Sequence, residues 1–241
     1  MILLAAPLAA KRAPQLPIRG RAGLRNEMSA MPADPPSTHV ARCKEWVLAR
    51  ALSDSTLGYD TALATLSAAF GRCSPDDLLE RLDDAARPMF GLTGSDLFEQ
   101  ADGLAEVITN RLGLRVGSMS WRTLLLDDAL TERDAHPLLL AALSHELARR
   151  AGLGSIVARS HDDFCCVLIA GDAALPVCFG SVPDRLDVSA LRHCCPHQVA
   201  YTTLAGIALR APAKVAGAAH RARESMPIDW DLTEWSVPAD L

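Results

Sequence analysis

The chain has 241 residues, of which 49% are hydrophobic and 22% charged, and its net charge is −5 at pH 7. This composition is typical of a packed globular protein. The negative charge gives no support for nucleic-acid binding, and no apolar run reaches the roughly 20 residues that cross a bilayer. Only 5% of the residues are aromatic, so the core must consist mainly of Leu, Ala and Val, which favours helices.

The N-terminal segment 1–38 holds six of the 15 prolines and no periodic hydrophobic pattern, which predicts a disordered extension. Four arginines with few acids in this segment are also compatible with a transit peptide. The interpretation that we favour is that Met28 or Met31 is the true start of the protein.

From His39 onward, apolar residues recur at helical spacing. The segment Ser74-Pro-Asp-Asp77 is a strong helix start, because Ser suits the cap, Pro suits the first turn and Asp faces the positive end of the helix dipole. The pattern predicts helices over about 39–52, 57–70, 75–87, 93–112, 121–130 and 137–151.

Short apolar runs broken by turn residues follow, and they predict two or three strands at 155–158, 164–169 and 175–179. The last two are joined by a hairpin turn at Ala170–Ala173. Helical pattern then returns over about 187–194, 196–209 and 212–224, before an irregular tail from Pro227. Helices, a small antiparallel sheet and helices again indicate a mostly helical α+β protein.

The cysteines do not resemble the disulfide framework of a secreted protein, since their number is odd and two pairs are sequence neighbours. Reduced thiols in the cytoplasm are the simplest interpretation. The seven residues are Cys43, Cys73, Cys165, Cys166, Cys178, Cys194 and Cys195.

The central part of the chain resembles the SirB family of transglutaminase-like proteins. Thr123–Pro137 is similar to the family's short helix that leads into an Arg-Arg-Gly-x-Pro-Ile-Ser-Leu turn, and Leu147–Leu153 resembles a helix ending Ala-Arg-Arg-x-Gly-Leu. Asp163-Phe164 falls, without a gap, where the family has Gly-His-Phe-Leu-Val. His197–Tyr201 and the following helices look like the family's C-terminal tetratricopeptide-like extension.

This resemblance covers about 45–225 and implies a transglutaminase-like core, in which a central helix packs on a small antiparallel sheet. It implies a transglutaminase-like domain over 39–183, a C-terminal helical extension over 184–226 and a tail over 227–241. Active members of the superfamily attack a carbonyl with a Cys at the start of that helix, assisted by a His on one strand and an Asp on the next.

The chain departs from that pattern at each position. The SirB Ser falls on Leu139, the His falls on Asp163, and the Asp falls near Val177 or Cys178. A Leu has no ionisable proton, so the resemblance predicts fold better than activity. We therefore expect a non-catalytic regulatory or interaction protein of bacterial type, with a protein partner, no cofactor, no nucleic acid and no membrane.

Two alternatives remain open. One is a thiol enzyme, an amide hydrolase or acyl transferase, with a relocated nucleophile: Cys165, Cys166 or Cys178 with His161, although Cys is also an ordinary core residue. The other is a metal-binding module at His193-Cys194-Cys195-Pro-His197, whose spacing is unusual for zinc because Pro196 interrupts the helical pattern. Ser144-His-Glu-Leu-Ala-Arg149 lacks the second His of a zinc protease helix, which excludes that class.

Overall fold

A computed structural model describes residues 36–71, 73–117, 120–160, 163–179 and 191–226 of the chain. The described residues form eight α-helices: α1 Pro36–Ala51, α2 Tyr59–Phe70, α3 Pro75–Ala86, α4 Leu97–Glu106, α5 Leu126–Glu132, α6 Pro137–Arg150, α7 Pro196–Arg210 and α8 Ala213–Glu224. Three irregular helical segments accompany them: 3-10 turns at Arg87–Leu92 and Trp121–Leu124, and a π-helical turn at Val107–Arg111.

The described strands form two small sheets. Strands β1 Arg115–Val116 and β2 Asp134–Ala135 pair in parallel, whereas β3 Gly154–Arg159, β4 Phe164–Ala170, β5 Ala173–Cys178 and β6 Arg192–His193 form an antiparallel sheet in the order β5-β4-β3-β6. Gly171, with φ of 58°, occupies the first position of the two-residue turn between β4 and β5, where left-handed backbone favours glycine.

Helix α6 packs on strands β3 and β4 at the centre of the fold. Nearly every residue from Leu138 to Ala148 is buried, because this helix is apolar almost all round and is covered by helices on its other sides. Strand β4 is likewise a continuous apolar run, and Phe164 to Leu168 are buried on both faces of the sheet. A mostly helical α+β fold, with a central helix on a small antiparallel sheet, is therefore confirmed.

The predicted helix 187–194 is wrong in its described part. Residues Arg192 and His193 form β6, which pairs with Ala158 and Arg159 at the edge of β3. The hydrogen bonds offered by that edge outweigh a weak helical pattern next to Pro196. The antiparallel sheet thus takes one strand from the segment predicted as a purely helical C-terminal extension.

Some other helices differ from their predicted limits by a few residues. Helix α1 begins at Pro36, inside the segment 1–38 that the sequence predicts to be disordered, and the helix predicted over 121–130 is a 3-10 turn followed by α5. The predicted extension over 1–35, His161, the segment 180–190 with the first part of the predicted helix 187–194, and the tail 227–241 lie outside the described residues. Within the described part, no helix combines the length and the apolar character that a bilayer crossing requires.

Candidate functional site

The start of α6 is where the resemblance to transglutaminase-like proteins places a nucleophile. Leu139 occupies that position and is 1% exposed in the main core. The residue before the helix, His136, caps it: the Leu138 N–H donates to Nδ1 of His136 at 3.2 Å. Burial and the charge of Arg210 lower the pKa of His136 to about 4, so its ring is neutral at pH 7 and can accept this bond.

Strand alternation divides the side chains of β4 between two faces of the sheet. On the core face, which packs on α6, lie Phe164, Cys166 and Leu168, together with Val177 of β5. On the outer face lies a separate cluster formed by Ala158, Cys165 and Val167, with Cys178 packed against it.

Asp163 belongs to the outer face. It lies two residues before Cys165, and it is close enough to Cys178 for its negative charge to oppose the hydrogen bond from Cys165 that lowers the pKa of that thiol. Leu139 and Val177, by contrast, both pack in the main core, on the other side of the sheet. The three positions that the resemblance aligns with nucleophile, base and orienting acid are therefore split between two sides of the sheet.

The thiol candidates differ in exposure and in proton affinity. Cys166 is fully buried, and burial raises the pKa of its thiol to about 12 despite a hydrogen bond with Ser155. Cys165 is 1% exposed, and its thiol pKa is raised by a hydrogen bond to Cys178 and by burial. Cys178 is partly exposed, and the hydrogen bond from Cys165 lowers its pKa. It is the one thiol of the three that is both accessible and acidified.

His145, which the sequence interpretation did not propose as a site residue, lies where α6 packs on the sheet. Nδ1 of His145 lies 2.9 Å from Oγ of Ser155, and its ring meets the ring of Tyr59 edge to face, with centroids 4.6 Å apart. The Tyr59 hydroxyl donates to the carbonyl of Cys194. Burial is the main cause that lowers the pKa of His145, so the ring is neutral at pH 7. Nothing local in the sequence indicates this contact between α2, α6 and β3.

The end of α6 carries a charge network centred on the buried Glu146, which the sequence interpretation also missed. The carboxylate of Glu146, 1% exposed, accepts hydrogen bonds from Arg149 at 2.9 Å and from Arg150 at 2.5 Å. Arg150 also donates to Asp60 of α2 and Asp83 of α3, at 3.0 Å and 2.7 Å. These bonds join three helices, so the network serves the fold of the domain.

The proposed metal ligands point to different neighbours. His193 is exposed, with Nε2 3.5 Å from the Tyr59 hydroxyl, whereas Nε2 of His197 lies 2.9 Å from the carbonyl oxygen of Asp54. Cys194 is fully buried, and Cys195 precedes α7, where its backbone N–H donates to the side chain of Gln198. In the described ranges, no three His, Cys, Asp or Glu side chains are grouped so that they could hold a metal ion.

A groove of about 610 Å³ lies between α1, α2 and α8, and we call it the α1–α8 groove. Its apolar lining includes Val47, Leu48, Ala69, Phe70 and Ala218. Lys44 and Lys214 also line it, and neither forms an ion pair with a described residue. The groove is thus an apolar surface with two lysines that have no ion partner among the described residues, on a chain whose net charge is −5.

Comparisons of the chain with models of protein families, with curated proteins and with solved structures found no match in any of the three. What the structure itself defines is a class of architecture: a mostly helical α+β protein, with a buried central helix against a four-stranded antiparallel sheet.

Proposed function

We propose that the protein is a non-catalytic, transglutaminase-like protein of the SirB type that acts by binding another protein. The observation that carries the proposal is the burial of Leu139 at the start of α6, where that chemistry would need a nucleophile. The order of elements supports it, since a central helix precedes the antiparallel hairpin strands as the resemblance implies. A reducing location such as the cytoplasm is part of the proposal, because six described cysteines are unbridged.

The α1–α8 groove is the surface that we assign to the partner. Val47, which lines it, is 60% exposed, so the apolar lining of the groove is open to solvent. Lys44 and Lys214 lack a described ion partner, whereas Arg221 is neutralised by Glu45. An acidic peptide segment with apolar side chains complements both features, because its side chains fill the groove and its carboxylates meet the two lysines.

A binding experiment tests this surface. The probe is a fluorescein-labelled amphipathic helical peptide of Leu and Glu, titrated with the full chain and followed by fluorescence anisotropy. Replacing both lysines (Lys44→Glu with Lys214→Glu) should weaken binding by about tenfold or more, since two attractive contacts become repulsive. The matched control, Arg87→Glu with Arg111→Glu, changes the net charge equally at residues that do not line the groove. Absence of binding, or equal weakening in the control, contradicts the assignment.

The competing function is a thiol enzyme with a relocated nucleophile, and the feature that favours it is the partly exposed Cys178, whose pKa is lowered by a hydrogen bond from Cys165. A thiol-specific alkylating probe at neutral pH separates the two. An enzyme needs a histidine base, so Cys178 should lose reactivity when His161 is replaced by Ala. The non-catalytic proposal expects His161→Ala, and the matched His220→Ala at an exposed position of α8, to leave the labelling rate of Cys178 unchanged. A selective loss in His161→Ala overturns it.

A further inference from the structure

The strand register brings two cysteines directly opposite each other. Cys165 of β4 pairs with Cys178 of β5 in the antiparallel ladder. Directly opposed residues of antiparallel strands have Cα atoms about 4.5 to 5.5 Å apart, and disulfides span about 4.4 to 6.8 Å. A bond between these sulfur atoms therefore requires no separation or register shift of the strands.

The two thiols already interact. They are close enough to share a hydrogen bond, and both side chains lie on the outer face of the sheet. Cys165 is 1% exposed beside Ala158 and Val167, whereas Cys178 is partly exposed. One sulfur is thus accessible from outside, and the second is held against it where solvent does not reach.

We propose that Cys165 and Cys178 form a reversible disulfide and are a redox modification site on the outer face of the sheet, with Cys178 as the attacking thiol and Cys165 as the resolving thiol. The oxidant is a small-molecule disulfide of the glutathione type. This proposal is independent of the proposed partner-binding function, because neither cysteine lines the α1–α8 groove.

The exchange proceeds in two balanced steps. The Cys178 thiolate attacks one sulfur of the small disulfide, whose S–S bond breaks and releases one small-molecule thiolate. Cys165 then loses its proton to solvent and attacks the Cys178 sulfur, which releases the second small-molecule thiolate. The two protein thiols lose two electrons and two protons, and the small disulfide is reduced to two thiols.

The surroundings of each sulfur fit these roles. The hydrogen bond from Cys165 stabilises the Cys178 thiolate and lowers its pKa, which raises the fraction that can attack at neutral pH. Cys166, although adjacent to Cys165, points to the core face and is fully buried, so it does not compete. Cys194 is also fully buried, and burial raises the pKa of its thiol to about 12.

The test treats the full reduced chain with oxidised glutathione at neutral pH, followed by intact mass measurement and peptide mapping under non-reducing conditions. The expected product has lost two hydrogen atoms and contains one cross-link, between the peptides of Cys165 and Cys178, which dithiothreitol reverses. Cys165→Ala should instead retain one glutathione on Cys178, because the resolving thiol is gone. Cys178→Ala should give neither product at this pair.

Cys195→Ser is the matched control, since Cys195 is partly exposed but lies before α7, away from the strand pair. It should form the same cross-link at the same rate as the unmodified chain. A cross-link that joins another pair overturns the proposal. So does oxidation of Cys73 or Cys195 while Cys165 and Cys178 stay reduced. Both of the results that overturn the proposal are measured on the unmodified chain, so they do not depend on whether a variant folds.

Discussion

The guanidinium group of Arg221 on α8 donates two hydrogen bonds to the carboxylate of Glu45 on α1, with N–O distances of 2.6 Å and 2.7 Å. The Glu45 side chain is only 10% exposed, so the pair is partly shielded from solvent and salt. It connects the first described helix to the last one, and it fixes one wall of the α1–α8 groove.

Replacing Arg221 by Lys tests the value of that two-point contact. An ammonium group keeps the charge but cannot form the paired hydrogen bonds of a guanidinium, so we expect a loss of about 1 kcal/mol in the free energy of unfolding. Urea titration measures the loss. The control Arg87→Lys changes an exposed ion pair with Asp84 and should stay within about 0.5 kcal/mol of the unmodified protein. Equal effects in both variants would contradict a special role for Arg221.

The neutral ring of His136 makes the stability of the protein dependent on pH. Its pKa is about 4 in the folded protein and about 6.5 when unfolded, so between these values the unfolded chain binds more protons. The contribution of His136 to the free energy of unfolding is therefore fully present above about pH 6.5 and is lost as the pH falls towards 4. Between about pH 7 and pH 5 we expect a loss of about 2 kcal/mol from this residue.

The variant His136→Asn isolates that contribution. Asn is a good helix cap but does not titrate, so urea titrations of the variant should show a pH dependence flatter by about 2 kcal/mol over the same interval. The control is the same change at the exposed residue His220, which shows whether a histidine-to-asparagine replacement by itself alters the profile. A variant His136→Asn that loses stability as steeply as the unmodified protein would refute the assignment.

Glu146 is expected to be the most sensitive charged residue of α6. The change Glu146→Gln removes the buried negative charge that faces Arg149 and Arg150, and we expect it to lower the free energy of unfolding by about 2 kcal/mol. Thermal and urea unfolding measure this effect. Glu224→Gln alters an exposed carboxylate at the end of α8 and should cost less than about 0.5 kcal/mol. Matching losses would show that burial is not what makes Glu146 important.

A nucleophile restored at the aligned position should damage the fold without creating activity. Leu139→Ser removes most of a fully buried side chain and leaves a hydroxyl in the core, so we expect a loss of about 3 kcal/mol or more. Hydrolysis of an activated acyl ester should not rise above that of the unmodified chain, because Asp163 lies on the other face of the sheet. Leu209→Ser, at a position 66% exposed, is the control and should be nearly neutral. A gain in hydrolysis specific to Leu139→Ser would contradict the split arrangement.

Local signals account for the part of the fold that the sequence predicts well. The start at Ser74-Pro75, the leucines of α6 and the turn at Gly171 act within a few residues, and α3, α6 and the β4–β5 hairpin lie close to their predicted limits. The contacts of the candidate site, by contrast, join residues that lie far apart in the chain. Tyr59 reaches the carbonyl of Cys194 across 135 positions, and such a pairing leaves no trace in local periodicity.

The sequence by itself determined the main helices, the three strands β3 to β5 and the apolar residues of the core, because hydrophobic spacing and turn residues act over short distances. Tertiary structure decided which face of the sheet each residue of β4 occupies, since that depends on strand register and on where α6 packs. It therefore separated Leu139 from Asp163, turned residues 192–193 into a strand, and placed Cys165 opposite Cys178. Cys165 and Cys166 are adjacent in the chain but face opposite sides of the sheet, whereas Cys165 and Cys178 come from different strands and lie opposite each other.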